Sequence, residues 1–124
     1  NQSHPIIWAG PVKSWVSACD CILAQDADII VPGHGPNAGR KVVSEIKDYL
    51  GYIYNEAKQR HDAGMTALAA ANDISLERYA EWLDDERMIP NVFAVYRELD
   101  GTPPENVHKL FDYMDAWTRA RRKS

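Results

Sequence analysis

Apolar side chains fall at Val12, Trp15, Val16, Cys19, Ile22 and Leu23, three and four residues apart, with Pro11 in front, where its missing N–H costs nothing. This spacing predicts an amphipathic helix from Pro11 to about Ala24. Asp28 to Val31 then reads as a short strand, rich in β-branched residues and closed by Pro32, with Pro5 to Trp8 the one candidate for its partner. After a glycine-rich loop, Val42, Val43, Ile46, Leu50, Ile53, Tyr54 and Ala57 mark a long helix to about Ala63, stopped by Gly64.

The second half is patterned for helices throughout. Thr66 to Ala71 predicts a short helix, and Ser75 with Leu76, Tyr79 and Trp82 another. Asp84 or Asp85 is placed to cap a helix through Leu99, in which Pro90 either introduces a kink or marks the first turn. Thr102 and Glu105 fit a capping box around Pro103 and Pro104, ahead of a final helix with Val107, Leu110, Phe111, Met114 and Trp117 on one face. The fold class expected is mainly α with one or two short β-strands. The natural seam lies near Gly64, dividing 1–64, which contains the strand and the glycine-rich loop, from an all-helical 65–124.

Composition adds bounds. The 124 residues suffice for one domain, and 45% hydrophobic with 26% charged residues is the balance of a folded globular chain. A net charge of −4 argues against a nucleic-acid partner, and the one basic cluster, Arg119, Arg121, Arg122 and Lys123, reads as a solvated helix end. No apolar run approaches the roughly 20 residues that cross a bilayer, so no membrane partner is expected. Cys19 and Cys21 lie two apart on a helix and point away from each other, which suggests reduced thiols and a cytoplasmic setting. A start at Asn1 suggests a piece of something longer. Of the tryptophans Trp8, Trp15, Trp82 and Trp117, three lie on or beside apolar stripes, which favours core packing over a binding platform.

The chemistry concentrates in "ADIIVPGHGPNAG", Ala27 to Gly39. A strand end followed by a histidine between two glycines is a sensible metal site, because glycine permits positive φ and close approach while the imidazole is presented at a rim. On spacing alone, a tight turn that happens to contain His34 reads the same way. The longer run "WAGPVKSWVSACDCILAQDADIIVPGHGP", Trp8 to Pro36, resembles the closing segment of the metallo-β-lactamase-fold hydrolases, in which a helix leads into a "D-x-I/V-x-PGHG" strand. Asp28, Ile30, Val31, Pro32, Gly33, His34 and Gly35 match that ending position by position, and "YRELDG", Tyr96 to Gly101, extends the likeness more loosely.

The resemblance implies the C-terminal part of an αβ/βα sandwich with a helical extension, and a dinuclear zinc centre to which His34 supplies the last histidine ligand. In the complete family fold, a metal-bridging hydroxide attacks an ester, thioester, lactam or phosphoester. The family's His-x-His-x-Asp-His stretch, a further histidine and the bridging aspartate are all absent from these 124 residues. One histidine falls short of the roughly three protein ligands that catalytic zinc takes. His4, His61 and His108 read as solvated or structural, and no nucleophilic triad, acid pair or phosphate loop is present.

The chain alone is therefore expected to be inactive, with no catalytic residue of its own. Its implied partners are the missing N-terminal half and, through uncovered apolar faces, further copies of itself. The alternative is a self-contained helical interaction or oligomerisation module with no metal site, in which the loop is only a turn. The helices of 66–101 fit either a cap over a substrate pocket or a dimer surface.

Overall fold

The computed structural model of the chain describes residues 2–33 and 35–121. Among these, five α-helices follow one another: α1 (Val12–Leu23), α2 (Arg40–Asp62), α3 (Ala67–Asp73), α4 (Met88–Asp100) and α5 (Val107–Arg121). Two 3₁₀ turns, Glu77–Tyr79 and Asp85–Arg87, lie between α3 and α4. The expectation of a mainly α chain holds.

The longest helix, α2, buries Val43, Tyr49, Leu50, Ile53 and Ala57, a stripe at helical spacing. It stops at Gly64, whose φ of +81° only glycine adopts without strain. The Gly64 N–H bonds the His61 carbonyl at 2.8 Å and the Met65 N–H bonds the Arg60 carbonyl at 2.9 Å, the paired closure of a Schellman motif. α3 is capped by Thr66, whose hydroxyl accepts from the Ala69 N–H. Pro90 falls within the first turn of α4, where no N–H is required, so it introduces no kink. One cluster of buried side chains then runs from Ile7 through Tyr49, Ile53, Ala71, Val92 and Val95 to Trp117, across Gly64.

Several expectations need correction. Asp28 to Val31 forms no strand: only Ile30 pairs, antiparallel, with Ala38, and no β-sheet exists among the described residues. Among the described residues no other bridge forms to it, and the segment expected to pair with it, Pro5 to Trp8, instead meets α4, where the Ile7 N–H donates to Asn91. The helix expected at Ser75 to Trp82 is reduced to a single 3₁₀ turn. Leu76, Tyr79 and Trp82 are spaced by three, which suits a 3₁₀ turn, and Leu83 is then drawn into a parallel bridge with Ser3.

Neither Asp84 nor Asp85 provides a side-chain cap. Asp84 instead takes a left-handed conformation (φ 62°) ahead of the second 3₁₀ turn. The cap of α5 is Asn106 rather than Thr102: its Oδ1 accepts from the N–H groups of His108 and Lys109. Pro103 and Pro104 disfavour helical backbone at the residue before each, which delays the start of α5. On that helix Leu110, Met114 and Trp117 are buried, while Val107 and Phe111 stay exposed. Trp8 and Trp15 are likewise some two-fifths exposed, against the core role read for the tryptophans. Among the described residues, no helix is long and apolar enough to cross a membrane.

Candidate functional site

The loop between α1 and α2 is built on a firm base. The Arg40 guanidinium, at the first residue of α2, donates to the carbonyls of Leu23 and Gln25, tying the end of α1 to the start of α2. Asp20 on α1 and Lys47 on α2 form an ion pair at 2.5 Å. From that base the chain runs out and back. Ile30 and Ala38 exchange backbone hydrogen bonds of 2.7 and 2.9 Å, and Gly35 takes φ +92° at the tip. Ile29 and Val31 point into solvent, 69% and 74% exposed.

His34, the residue expected to bind metal, lies outside the described residues. Among the described residues no group of three or more His, Cys, Asp or Glu is placed to hold a metal ion. Cys19 is buried, and burial pushes its thiol pKa up, whereas Cys21 is exposed.

The remaining histidines take three different roles. His108 is exposed, its backbone N–H held by the Asn106 cap. His61, near the end of α2, places Nε2 at 2.6 Å from Asp100 Oδ1 at the end of α4, with its ring edge-on to Tyr96. The hydrogen bond to Asp100 is the main cause holding the imidazole pKa above its usual value, helped by Asp62.

A raised folded-state pKa means that His61 contributes stability that is complete below its unfolded pKa of about 6.5 and is lost as pH rises through the folded value. The melting-temperature gap between wild type and Asp100→Asn is therefore expected to be widest near pH 5.5 and to close toward pH 9. A gap that widens with pH would contradict this assignment.

His4 is the unexpected one. It is fully buried, in a box of aromatic rings: Tyr49 at 4.9 Å, Trp82 at 5.5 Å and Tyr79 at 6.2 Å between centroids, all near edge-on. Neither ring nitrogen has a hydrogen-bond partner. Burial lowers its pKa, while Asp85, the Tyr79 backbone and Asp84 act in the opposite direction and Arg87 adds to the lowering. Asn91, equally buried, holds the segment that carries His4: it accepts from the Ile7 N–H at 2.9 Å and donates to the Pro5 carbonyl at 2.8 Å and the Tyr49 hydroxyl at 3.2 Å.

A cleft of about 560 Å³ opens between the N-terminal segment, α4 and the start of α5, walled by Trp8, Phe93, Pro104 and Val107. Its charged side chains are engaged elsewhere. Asp100 meets His61, Glu105 meets Lys109 at 3.1 Å, and Arg97 donates to the Gly10 carbonyl at 3.1 Å. Among the described residues, no serine, cysteine or histidine lines it. Comparison of the chain with family models, curated proteins and solved structures found no match in any of the three.

Proposed function

We propose that this chain is the C-terminal segment of a metal-dependent hydrolase of the metallo-β-lactamase fold, contributing His34 as the last histidine ligand of a dinuclear zinc centre. The observation that carries the reading is the run Asp28, Ile30, Val31, Pro32, Gly33, His34, Gly35, ending in a glycine that takes the left-handed backbone such a loop needs. Zinc bound in the complete fold would supply a hydroxide nucleophile near neutral pH. This chain offers it a single histidine, so the segment alone is inactive. The substrate-binding walls belong to the other half.

Expression of the chain together with the N-terminal portion encoded upstream, carrying a His-x-His-x-Asp-His stretch, tests the reading. Ester or lactam hydrolysis is expected only when both parts are present, with a loss of at least about 100-fold in His34→Ala. Hydrolysis unaffected by that substitution, or an upstream region without such a stretch, would remove it.

The exposed apolar side chains support the same reading. On α1 the buried stripe of Val12 and Cys19 continues round the helix into Trp15 and Ile22, which are 41% and 40% exposed, and Ile29 and Val31 follow in the loop. Such a flank is suited to a covering layer. In its absence the isolated chain is expected to self-associate at low micromolar concentration, and Trp15→Glu with Ile22→Glu to restore monomers in sedimentation. A wild-type monomer that binds no apolar dye would contradict this expectation. The second reading, a self-contained helical interaction module, is favoured by one observation: buried side chains of α2, α3 and α4 belong to one hydrophobic cluster.

A further inference from the structure

The N-terminal segment 2–7 is a strap laid across the helices, and its fastenings are of two kinds. Backbone groups hold it well. The His4 N–H donates to the Leu83 carbonyl at 2.9 Å, the Leu83 N–H to the Gln2 carbonyl at 2.8 Å, Arg87 Nη1 to the His4 carbonyl at 3.0 Å, and Asn91 holds Pro5 and Ile7. Its buried side chains fit poorly. Gln2 Nε2, both nitrogens of His4 and the hydroxyl of Tyr79 beneath them are all buried without partners. Each unmade bond costs free energy, so docking of the strap carries an opposing term concentrated around His4, while among the described α-helices only Trp117 Nε1 of α5 is left likewise. Beyond the strap the chain is anchored again, where Arg97 donates to the Gly10 carbonyl at 3.1 Å and Glu98 Oε2 accepts from the Val12 N–H at 2.8 Å, and Gly10 takes φ +77° at that boundary.

We propose that residues 2–7 form a proton-released latch, in which protonation of His4 expels its ring from the aromatic box and frees the strap about Gly10 while the helical core remains folded. The box faces the ring from three sides with Tyr49 of α2, Tyr79 of the first 3₁₀ turn and Trp82, all uncharged near neutral pH. α4 presents the uncharged Asn91 to the strap. The second 3₁₀ turn supplies the charges, Asp84, Asp85 and Arg87. Its carboxylates are already paired, Asp84 with Arg87 at 3.0 Å and Asp85 with Arg121 at 2.9 Å, and neither hydrogen-bonds the His4 ring.

A buried imidazolium is costly in this box, where burial outweighs the favourable contributions of Asp85, the Tyr79 backbone and Asp84, and the released ring regains water. Because the docked ring resists protonation, docking is complete above the free-histidine pKa of about 6.5 and weakens as pH falls below it. Opening uncovers the rings of Tyr49, Tyr79 and Trp82 as well as the side chain of Ile7.

Backbone amide protection factors, corrected for intrinsic exchange, test the latch at pH 7.5 and pH 5.0. The amides of His4, Ile7 and Leu83 are expected to lose at least tenfold in protection at the lower pH, while those of Ile53 and Val95 keep theirs. In His4→Phe, which fills the box with a ring that cannot protonate, strap protection is expected to be the same at both pH values. The ring resonances of His4 in the wild type supply a second reading should that variant not fold, since their titration is expected to coincide with the loss of protection. Strap amides indifferent to pH, a loss shared equally by the core, persistence of the effect in His4→Phe, or a ring titration separate from the loss would each overturn the proposal.

Discussion

Replacing Asn91 by alanine is expected to lower the unfolding free energy by about 3 kcal/mol, read as a fall in the urea midpoint at nearly unchanged slope. Asn91 is fully buried in α4 and joins three groups: the Ile7 N–H, the Pro5 carbonyl and the Tyr49 hydroxyl. Truncation leaves all three in the interior without that partner, each at about 1 kcal/mol or more, and adds a small void. Asn91→Asp is expected to be worse still at pH 7. It brings a charge into the core and sets a carboxylate oxygen against the Pro5 carbonyl, where a donor is needed. A loss below about 1 kcal/mol in Asn91→Ala would mean that the N-terminal strap is held by its backbone bridge to Leu83 rather than through α4.

Ile53→Ala is expected to cost about 3–4 kcal/mol, the usual range for removing several methyl and methylene groups from a site that cannot collapse. Ile53 is fully buried on α2, in the same apolar stripe as Leu50 and Ala57, and α2 packs against α1, α3 and α4. Substitution at Ile29, which is chemically identical but 69% exposed, provides the internal control in the monomeric Trp15→Glu, Ile22→Glu background, with an expected change within about 0.5 kcal/mol. Equal losses at the two positions in that background would contradict the exposure of Ile29 in the folded chain.

The contrast between these two isoleucines also shows what was legible in the residues. Helical stripes are local, and Val43 to Ala57, Leu110 to Trp117 and the glycine stop at Gly64 could be read directly because their meaning is complete within one segment. The segment Asp28 to Val31 has a strand's composition, yet strand formation depends on a neighbour elsewhere in the chain, and among the described residues only Ala38 offers one. The burial of His4 and Asn91 was not legible for the same reason. The bonds joining Ile7 to Asn91 and Arg87 to His4 span 84 and 83 residues, and nothing in "SHPII" or "MIPNV" announces the pairing. The cap of α5 was misread more locally. A Thr-x-x-Glu spacing matches a familiar pattern, but two prolines inside it move the cap to Asn106 and the helix start to Val107.

For the candidate site, the motif around His34 carried what the residues could say about metal chemistry, and the base of its loop, the Arg40 clamp and the Asp20–Lys47 pair, became visible only in three dimensions. Both fix the junction of α1 and α2, from which the histidine loop is presented.

On the proposed function, His34 is one ligand of a metal centre completed by another part of the protein. Zinc content of the chain assembled with its N-terminal portion tests it most directly, measured after exhaustive dialysis for the wild type and for His34→Ala. About two zinc ions per assembly are expected in the wild type, with a clear fall in the variant while the assembly itself persists in sedimentation. Equal zinc content in the two, or an assembly that retains no zinc at all, would contradict the claim.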